Sequence, residues 1–278
     1  MSEVKNDGQP IQENILRYVW LSLIPGFGVV SQNKLIRRCK GIENCFLADA
    51  GELLYRDECC DAKERIGKKR LEVFIKSRET PEDENRARTV MEECWQKHLK
   101  IITEEDSSYP CRFKGLPDMP CVLYARGSLQ INTFRRASGI VGARRCTDAG
   151  KQSAIMLTCG EVKKGSAIIS GMAKGVDSYA HTAALKNEGY TIAVLGNGVD
   201  ICYPEEHERL YEEIARKGCV LSEYLPGTQP REFRFPRRNR LIAALSDELY
   251  VIDAGHHSGT VTTIKACEMY GRTVIRID

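Results

Sequence analysis

Apolar positions recur every three or four residues through much of residues 11–100. ENILRYVWLSLI, QNKLIRRC, KKRLEVFI and the charged stretch from Pro81 to Lys100 all carry the pattern. That period predicts helices, so residues 11–100 read as a helical N-terminal domain behind a polar, disordered tail at residues 1–10. Ile24-Pro25-Gly26-Phe27-Gly28 separates the first two helices. It reads either as a plain helix–helix turn or as a hairpin whose backbone N–H groups meet a phosphate. From about Lys100 the period shortens. LKIIT and CVLYARG are β-type runs among the proline turns Tyr109-Pro110 and Leu116 to Pro120, a connector whose strands join or flank the main sheet.

From Ser138 onward the pattern is strand, glycine turn, helix, repeated. Strands are predicted at Gly139–Val141, Ala167–Ser170, Thr191–Leu195, Cys219–Glu223, Glu248–Asp253 and Thr273–Ile277. Helices fall between them at about 147–163, 176–188, 205–216, 237–245 and 260–270. Strands alternating with amphipathic helices predict an α/β domain over residues 101–278 with a doubly wound, mostly parallel sheet.

Composition narrows the class without naming a function. Of the 278 residues 42% are hydrophobic, enough for a substantial core, and the length suits one large domain or two. The formal net charge is only +3, so an anionic partner has to be argued from local clustering. None of the 12 cysteines forms a C-x-x-C pair, which argues against a zinc site. Reduced thiols in a cytoplasm are the simplest account. No apolar run approaches the about 20 residues of a membrane span, and the opening MSEVKNDGQP has no apolar signal core. The expectations are no metal, no membrane contact and a cytoplasmic chain.

In doubly wound sheets ligands sit beyond the carboxyl ends of the strands. Here those ends carry Gly142-Ala143-Arg144, Ser170-Gly171 with Lys174-Gly175, Gly196-Asn197-Gly198, Pro226-Gly227, and Ser258-Gly259-Thr260 at a helix start. Small residues permit close backbone approach, and helix N-termini attract phosphate. The run Arg231 to Arg240, REFRFPRRNR, adds five arginines and two phenylalanines against one acid. Arginine forks pair with phosphate oxygens and aromatic faces stack on bases; the same run also reads as a solvated, salt-bridged loop.

Catalytic constellations are weaker. Asp177 and His181 are four residues apart on one helical face, either an acid/base couple or a structural hydrogen bond. His256 and His257 stand near Ser258, but no G-x-S-x-G elbow is present. G-x-G-x-x-G is missing from the first strand turn, which argues against an NAD or FAD enzyme. Glu205 and Glu206 read as first-turn acids after Pro204.

Six motifs occur in order: Gly142-Ala143-Arg144, SGMAKGVDSYAH (Ser170 to His181), TIAVLGNGVDICYP (Thr191 to Pro204), SEYLPGT (Ser222 to Thr228), FPRRNRLIAALS (Phe235 to Ser246) and SGTVTT (Ser258 to Thr263). Together they make residues from about Ile102 to Val274 resemble the DNA-processing protein A (DprA/Smf) family. The resemblance implies an extended Rossmann-like fold behind a small helical, sterile-alpha-motif-like domain. It implies a non-catalytic, cofactor-free protein that binds single-stranded DNA, forms a homodimer through the Rossmann-like domain, and loads the recombinase RecA in natural transformation. Carried onto this sequence, the DNA contacts are Arg144, Ser170, Gly171, Lys174, Phe235, Arg237, Arg238, Asn239 and Arg240. Gly142, Gly175, Gly196, Gly227, Ser258, Gly259 and Thr260 support the pocket. Many members continue into a winged-helix-like module, whereas this sequence stops at Asp278, and the cysteine load is unusual for the family. Two other readings are a phosphoribohydrolase-like enzyme acting on nucleotides and a nucleotide-sensing module.

Overall fold

The structure, a computed structural model, describes residues 9–253 and 259–277. The chain divides into two compact units. One runs to Gln96 and includes Pro117–Val122; the other comprises Lys97–Leu116 and Leu123–Asp278.

The first unit is built from six helices among the described residues: α1 (Gln9–Leu23), α2 (Val29–Cys39), α3 (Ile42–Leu47), α4 (Ala50–Glu58), α5 (Lys68–Arg78) and α6 (Pro81–Gln96). The helix α1 begins inside the predicted tail, and residues 1–8 lie outside the described part. Between α1 and α2 the predicted link is a tight turn, with Gly26 in the left-handed region at φ 76° and Phe27 N–H donating to Ile24 O. Gln32 donates to Phe27 O at 2.8 Å across it. The aromatic rings make the core: Trp20 lies 5.0 Å from Phe46, and Phe74 lies 5.5 Å from Phe46 and 5.7 Å from Phe27. Trp20 Nε1 donates to Ser77 Oγ at 2.9 Å, so this large side chain keeps its one donor satisfied. Asn33 donates to the carbonyls of Pro117 and Met119, which ties that short segment to the helices.

The second unit holds an eight-stranded sheet: β1 (Lys100–Thr103), β2 (Val122–Gly127), β3 (Arg136–Gly142), β4 (Ser166–Ser170), β5 (Thr191–Val194), β6 (Cys219–Ser222), β7 (Glu248–Ile252) and β8 (Thr273–Ile277). Its order is β1-β2-β6-β5-β4-β3-β7-β8. Strands β3 to β8 pair in parallel, and β2 runs antiparallel to β6. The connector strands therefore extend one edge of the sheet. The central strands β4, β5 and β6 are buried along their whole length, as expected where helices cover both faces of a parallel sheet.

Five helices connect the parallel strands: α7 (Asp148–Lys163), α8 (Val176–Lys186), α9 (Glu208–Lys217), α10 (Arg234–Leu245) and α11 (Thr260–Met269). The first three lead from β3 outward to β6, and α10 and α11 lead back through β7 to β8. Because crossovers are right-handed, this reversal puts α7, α8 and α9 on one face and the α10–α11 pair on the other. Ile140, Ile168 and Ile252 of the sheet pack against Ala154 of α7 and Val176, Ala180 and Ala184 of α8. Small residues at those helix positions let the helices approach the strands closely. The order reverses between β3 and β7, which is where a doubly wound sheet opens a crevice.

Candidate nucleic-acid interface

A cavity of about 620 Å³ lies at that reversal. Its floor is the end of β3 and the following turn, Val141 to Arg144. Its walls are Ala173 and Asp177 after β4, the first turns of α10, and the start of α11.

Two close approaches shape this region. Gly175, in the left-handed region at φ 78°, precedes α8, and a side chain there would collide with the carbonyls of Ala143 and Arg144. Gly171 has no room for a methyl group either. A Cβ would sit 2.6 Å from Arg238 Nη2 and 2.9 Å from Asp177 Oδ2. These glycines bring the β3 and β4 exit turns together with α10.

From Arg234 onward the arginine run forms the first turns of α10, with residues 231–233 in the turn before it, and its charges have separate fates. Arg238 is 5% exposed. Its Nη1 donates to Gly171 O at 2.8 Å and to Val194 O, and its Nε donates to Asn239 Oδ1 at 3.1 Å. Burial lowers its pKa to about 10, opposed by the neighbouring Asp177 carboxylate, so it stays cationic at neutral pH. Arg238 thus forms part of the cavity wall, with its Nε and Nη1 donors bonded within the protein. Arg240 pairs with Glu223 at 2.5 Å and Arg237 lies 4.0 Å from the same carboxylate. One buried acid, Glu223, upstream in sequence offsets both. Arg234 lies over the Tyr224 and Phe233 rings.

Of the other predicted residues, Arg144, Phe235, Asn239, Gly142, Gly259 and Thr260 line the cavity with Arg238. Arg144 is exposed and has no ion-pair partner among the described residues. Asn239 Nδ2 bridges to α11 through Gly259 O at 3.1 Å and Thr262 Oγ1 at 2.9 Å. Phe235 packs over Gly196 and stacks on Tyr203, centroids 5.5 Å apart and planes 20° from parallel. Tyr203 also lines the cavity and is 43% exposed. It was missed in the sequence, where its only signal is an aromatic side chain immediately before Pro204.

Ser170, Gly171, Lys174, Gly175, Gly196, Gly227, Arg237 and Arg240 do not form the cavity lining. Ser170 is fully buried and donates to Ile140 O at 2.6 Å. Lys174 is exposed beside the cavity and pairs with Glu206 at 2.7 Å, so Glu206 does more than begin a helix. Gly227 N–H donates to Asp200 at 2.8 Å, in a separate turn. Ser258, His256 and His257 lie outside the described residues.

Asp177 and His181 do not pair. Asp177 accepts from the Gly171 N–H at 3.0 Å and the Ala173 N–H at 3.4 Å. Burial pushes its carboxyl above the ordinary range, and Arg238 and these donors oppose the shift. His181 Nδ1 is 2.7 Å from Thr191 Oγ1, and burial lowers its pKa to about 3, which keeps the ring neutral. Both side chains are buried, and His181 Nε2 has no hydrogen-bond partner among the described residues. Among the described residues no three His, Cys, Asp or Glu side chains cluster to hold a metal ion. No described helix is long and apolar enough to cross a membrane.

Comparison with known proteins places this arrangement. Residues 100–278 match the family model described as DNA recombination-mediator protein A. Protein Smf of Synechocystis is 35% identical over 263 residues, covering 93% of this chain and 63% of its own length. DNA processing protein DprA of Streptococcus pneumoniae is 40% identical over 172 residues, covering 62% of this chain and 60% of its own length. The chain thus spans about three fifths of the curated relatives it matches. The crystal structure of DNA processing protein A from S. pneumoniae superposes with a TM-score of 0.78 at 30% identity, over 95% of this chain and 86% of that one. DNA processing protein A from Helicobacter pylori, a protein with a described single-stranded DNA binding mode, superposes with a TM-score of 0.59 at 32% identity, over 65% of this chain and 82% of that one. The fold, the ordered motifs and these matches agree: the chain belongs to the DNA recombination-mediator protein A family.

Proposed function

We propose that this chain binds single-stranded DNA at the β3–β7 reversal, without catalysis. The observation that carries the reading is Arg144, an exposed cation with no partner among the described residues, at the mouth of a cavity that also holds the Tyr203–Phe235 stack. A cation for the phosphate and an aromatic face for the base are the two parts that sequence-tolerant single-strand binding uses. Lys174 adds a second cation beside it, held in reserve by Glu206. The H. pylori relative's single-strand binding supports the same choice of ligand. The reading without catalysis is supported by the separation of Asp177 from His181: the carboxylate accepts from the Gly171 turn, and His181 Nδ1 meets Thr191.

In this reading the bound strand is protected and passed to the recombinase RecA during natural transformation, in the cytoplasm. A homodimer through the Rossmann-like domain would hold two stretches of strand and gain avidity. The reading places that contact around α11 and β8: β8 ends the sheet order, and Met269 of α11 is 72% exposed.

The test is fluorescence anisotropy with labelled oligo-dT. Arg144→Ala and Lys174→Ala are expected to weaken binding while the unfolding midpoint stays unchanged. Unchanged affinity in both variants overturns the site.

A further inference from the structure

The β3–β7 cavity uses only one face of the start of α10. Glu232, Phe235, Pro236 and Asn239 line it, at the three- and four-residue spacing that puts side chains on one side of a helix. Phe233, Arg234 and Arg237 fall between those positions and line no part of the cavity. The Phe233 backbone is already in the right-handed helical region, at φ −67° and ψ −16°. Helical spacing therefore extends to it, and Phe233 and Arg237, four residues apart, share the adjoining face.

Phe233 is 64% exposed, yet its ring is held. The Arg234 guanidinium carbon lies 5.4 Å from the Phe233 ring centroid and 5.3 Å from that of Tyr224. A cation at this range is attracted by the electrons of a ring face. Arg234 also donates to Gln229 O. Tyr224 is partly buried, and its N–H donates to Ser222 Oγ at 3.0 Å. The tyrosine thus anchors the guanidinium, and the guanidinium steadies Phe233. A ring ordered before its ligand arrives loses less freedom on binding.

Arg237 puts a charge on the same face. Its side chain is 55% exposed and its Nε stands 4.0 Å from Glu223, whose other oxygen accepts from Arg240. So long a contact at an exposed side chain holds Arg237 weakly, which leaves it able to turn to a phosphate.

We propose that Phe233 and Arg237 form a second subsite on the single-strand path. One base stacks on the open side of Phe233 and a neighbouring phosphate pairs with Arg237, as the strand leaves the cavity across the first turn of α10. The proposal rests on the reading of the cavity as the single-strand site. The two phenylalanines of the arginine run then serve different nucleotides, Phe235 with Tyr203 inside the cavity and Phe233 outside it. Every base has a face to stack, so the subsite adds affinity without sequence preference.

Phe233→Trp in the full chain puts a fluorescent ring at the subsite. The natural tryptophans, Trp20 and Trp95, lie in the helical unit and set the parent's baseline. Titration with oligo-dT of about 12 nucleotides is expected to quench the emission that Phe233→Trp adds, with affinity at least equal to the parent's. Phe233→Leu keeps an apolar side chain without a ring. It is expected to lower affinity at least about fivefold at an unchanged unfolding midpoint. Arg237→Gln is expected to reduce the slope of log affinity against log salt by about one. Arg144→Ala separates this proposal from the reading beneath it. If Arg144→Ala weakens binding while Phe233→Trp emission does not respond and Phe233→Leu binds as the parent does, the second subsite is overturned and the cavity reading stands. If Arg144→Ala and Phe233→Leu both bind as the parent does, both fall.

Discussion

Arg238 and Gly171, 67 residues apart in sequence, are joined by a 2.8 Å hydrogen bond from the guanidinium Nη1 to the carbonyl. The arginine also reaches Val194 O and lies beside Asp177. One buried cation therefore ties α10 to the exit turns of β4 and β5. Its removal leaves two carbonyls and a buried carboxylate short of partners. Arg238→Ala is expected to destabilise the α/β unit by about 3–5 kcal/mol, read as a lower urea midpoint. A midpoint unchanged from the parent would contradict the structural role.

Lys174 is the cation whose availability is adjustable. Its partner Glu206 is half exposed, as is Lys174 itself, so the pair is weak and readily exchanged. Glu206→Gln is expected to raise oligo-dT affinity by about two- to fivefold through removal of a like charge from the DNA path. The effect should shrink as salt rises. Affinity that falls in this variant would place Lys174 outside the path.

The Tyr203–Phe235 stack offers the base platform. Phe235 is half buried over Gly196, whereas Tyr203 presents the exposed ring. Tyr203→Ala is expected to cost about 1–3 kcal/mol of single-strand affinity, with less effect on stability than Phe235→Ala. Equal affinity in Tyr203→Ala would remove the tyrosine from the contact.

His181 makes stability pH-dependent with a definite sign. Its folded-state pKa is lowered to about 3 from an ordinary value of 6.5. Between those values the unfolded chain binds the extra proton, so this group's contribution is fully present above pH 6.5 and falls as the pH drops. The maximum slope is about 1.4 kcal/mol per pH unit. His181→Phe is expected to flatten the decline of unfolding free energy between pH 6.5 and 4.5 relative to the parent. Parallel declines would show that His181 does not carry it.

The alternation of strands and helices after Ser138 was legible because nearly every strand leads into a glycine- or arginine-containing turn and helical patterns fall between the strands. The start of α10 was not. The predicted helix begins about three residues late, at 237, and only the fold brings Glu223, Gly171 and Val194 within reach to bury or pair its arginines. The positions around Arg144 were legible as strand-end chemistry, whereas Tyr203 enters through packing against Phe235. In the helical unit, α4 was overlooked although Asp49 caps it by accepting from Glu52 N–H at 2.9 Å, a spacing visible in sequence. The short α3 offers too few turns to show a period.

The most direct test of the central claim is competition anisotropy on the unsubstituted chain, with labelled oligo-dT, duplex DNA and AMP across a salt series. The account predicts preference for the single strand, a steep loss of affinity with rising salt as phosphate counterions are released, and no displacement by AMP. Displacement by micromolar AMP, together with oligonucleotide binding that does not respond to salt, would contradict it and make the β3–β7 cavity a mononucleotide pocket.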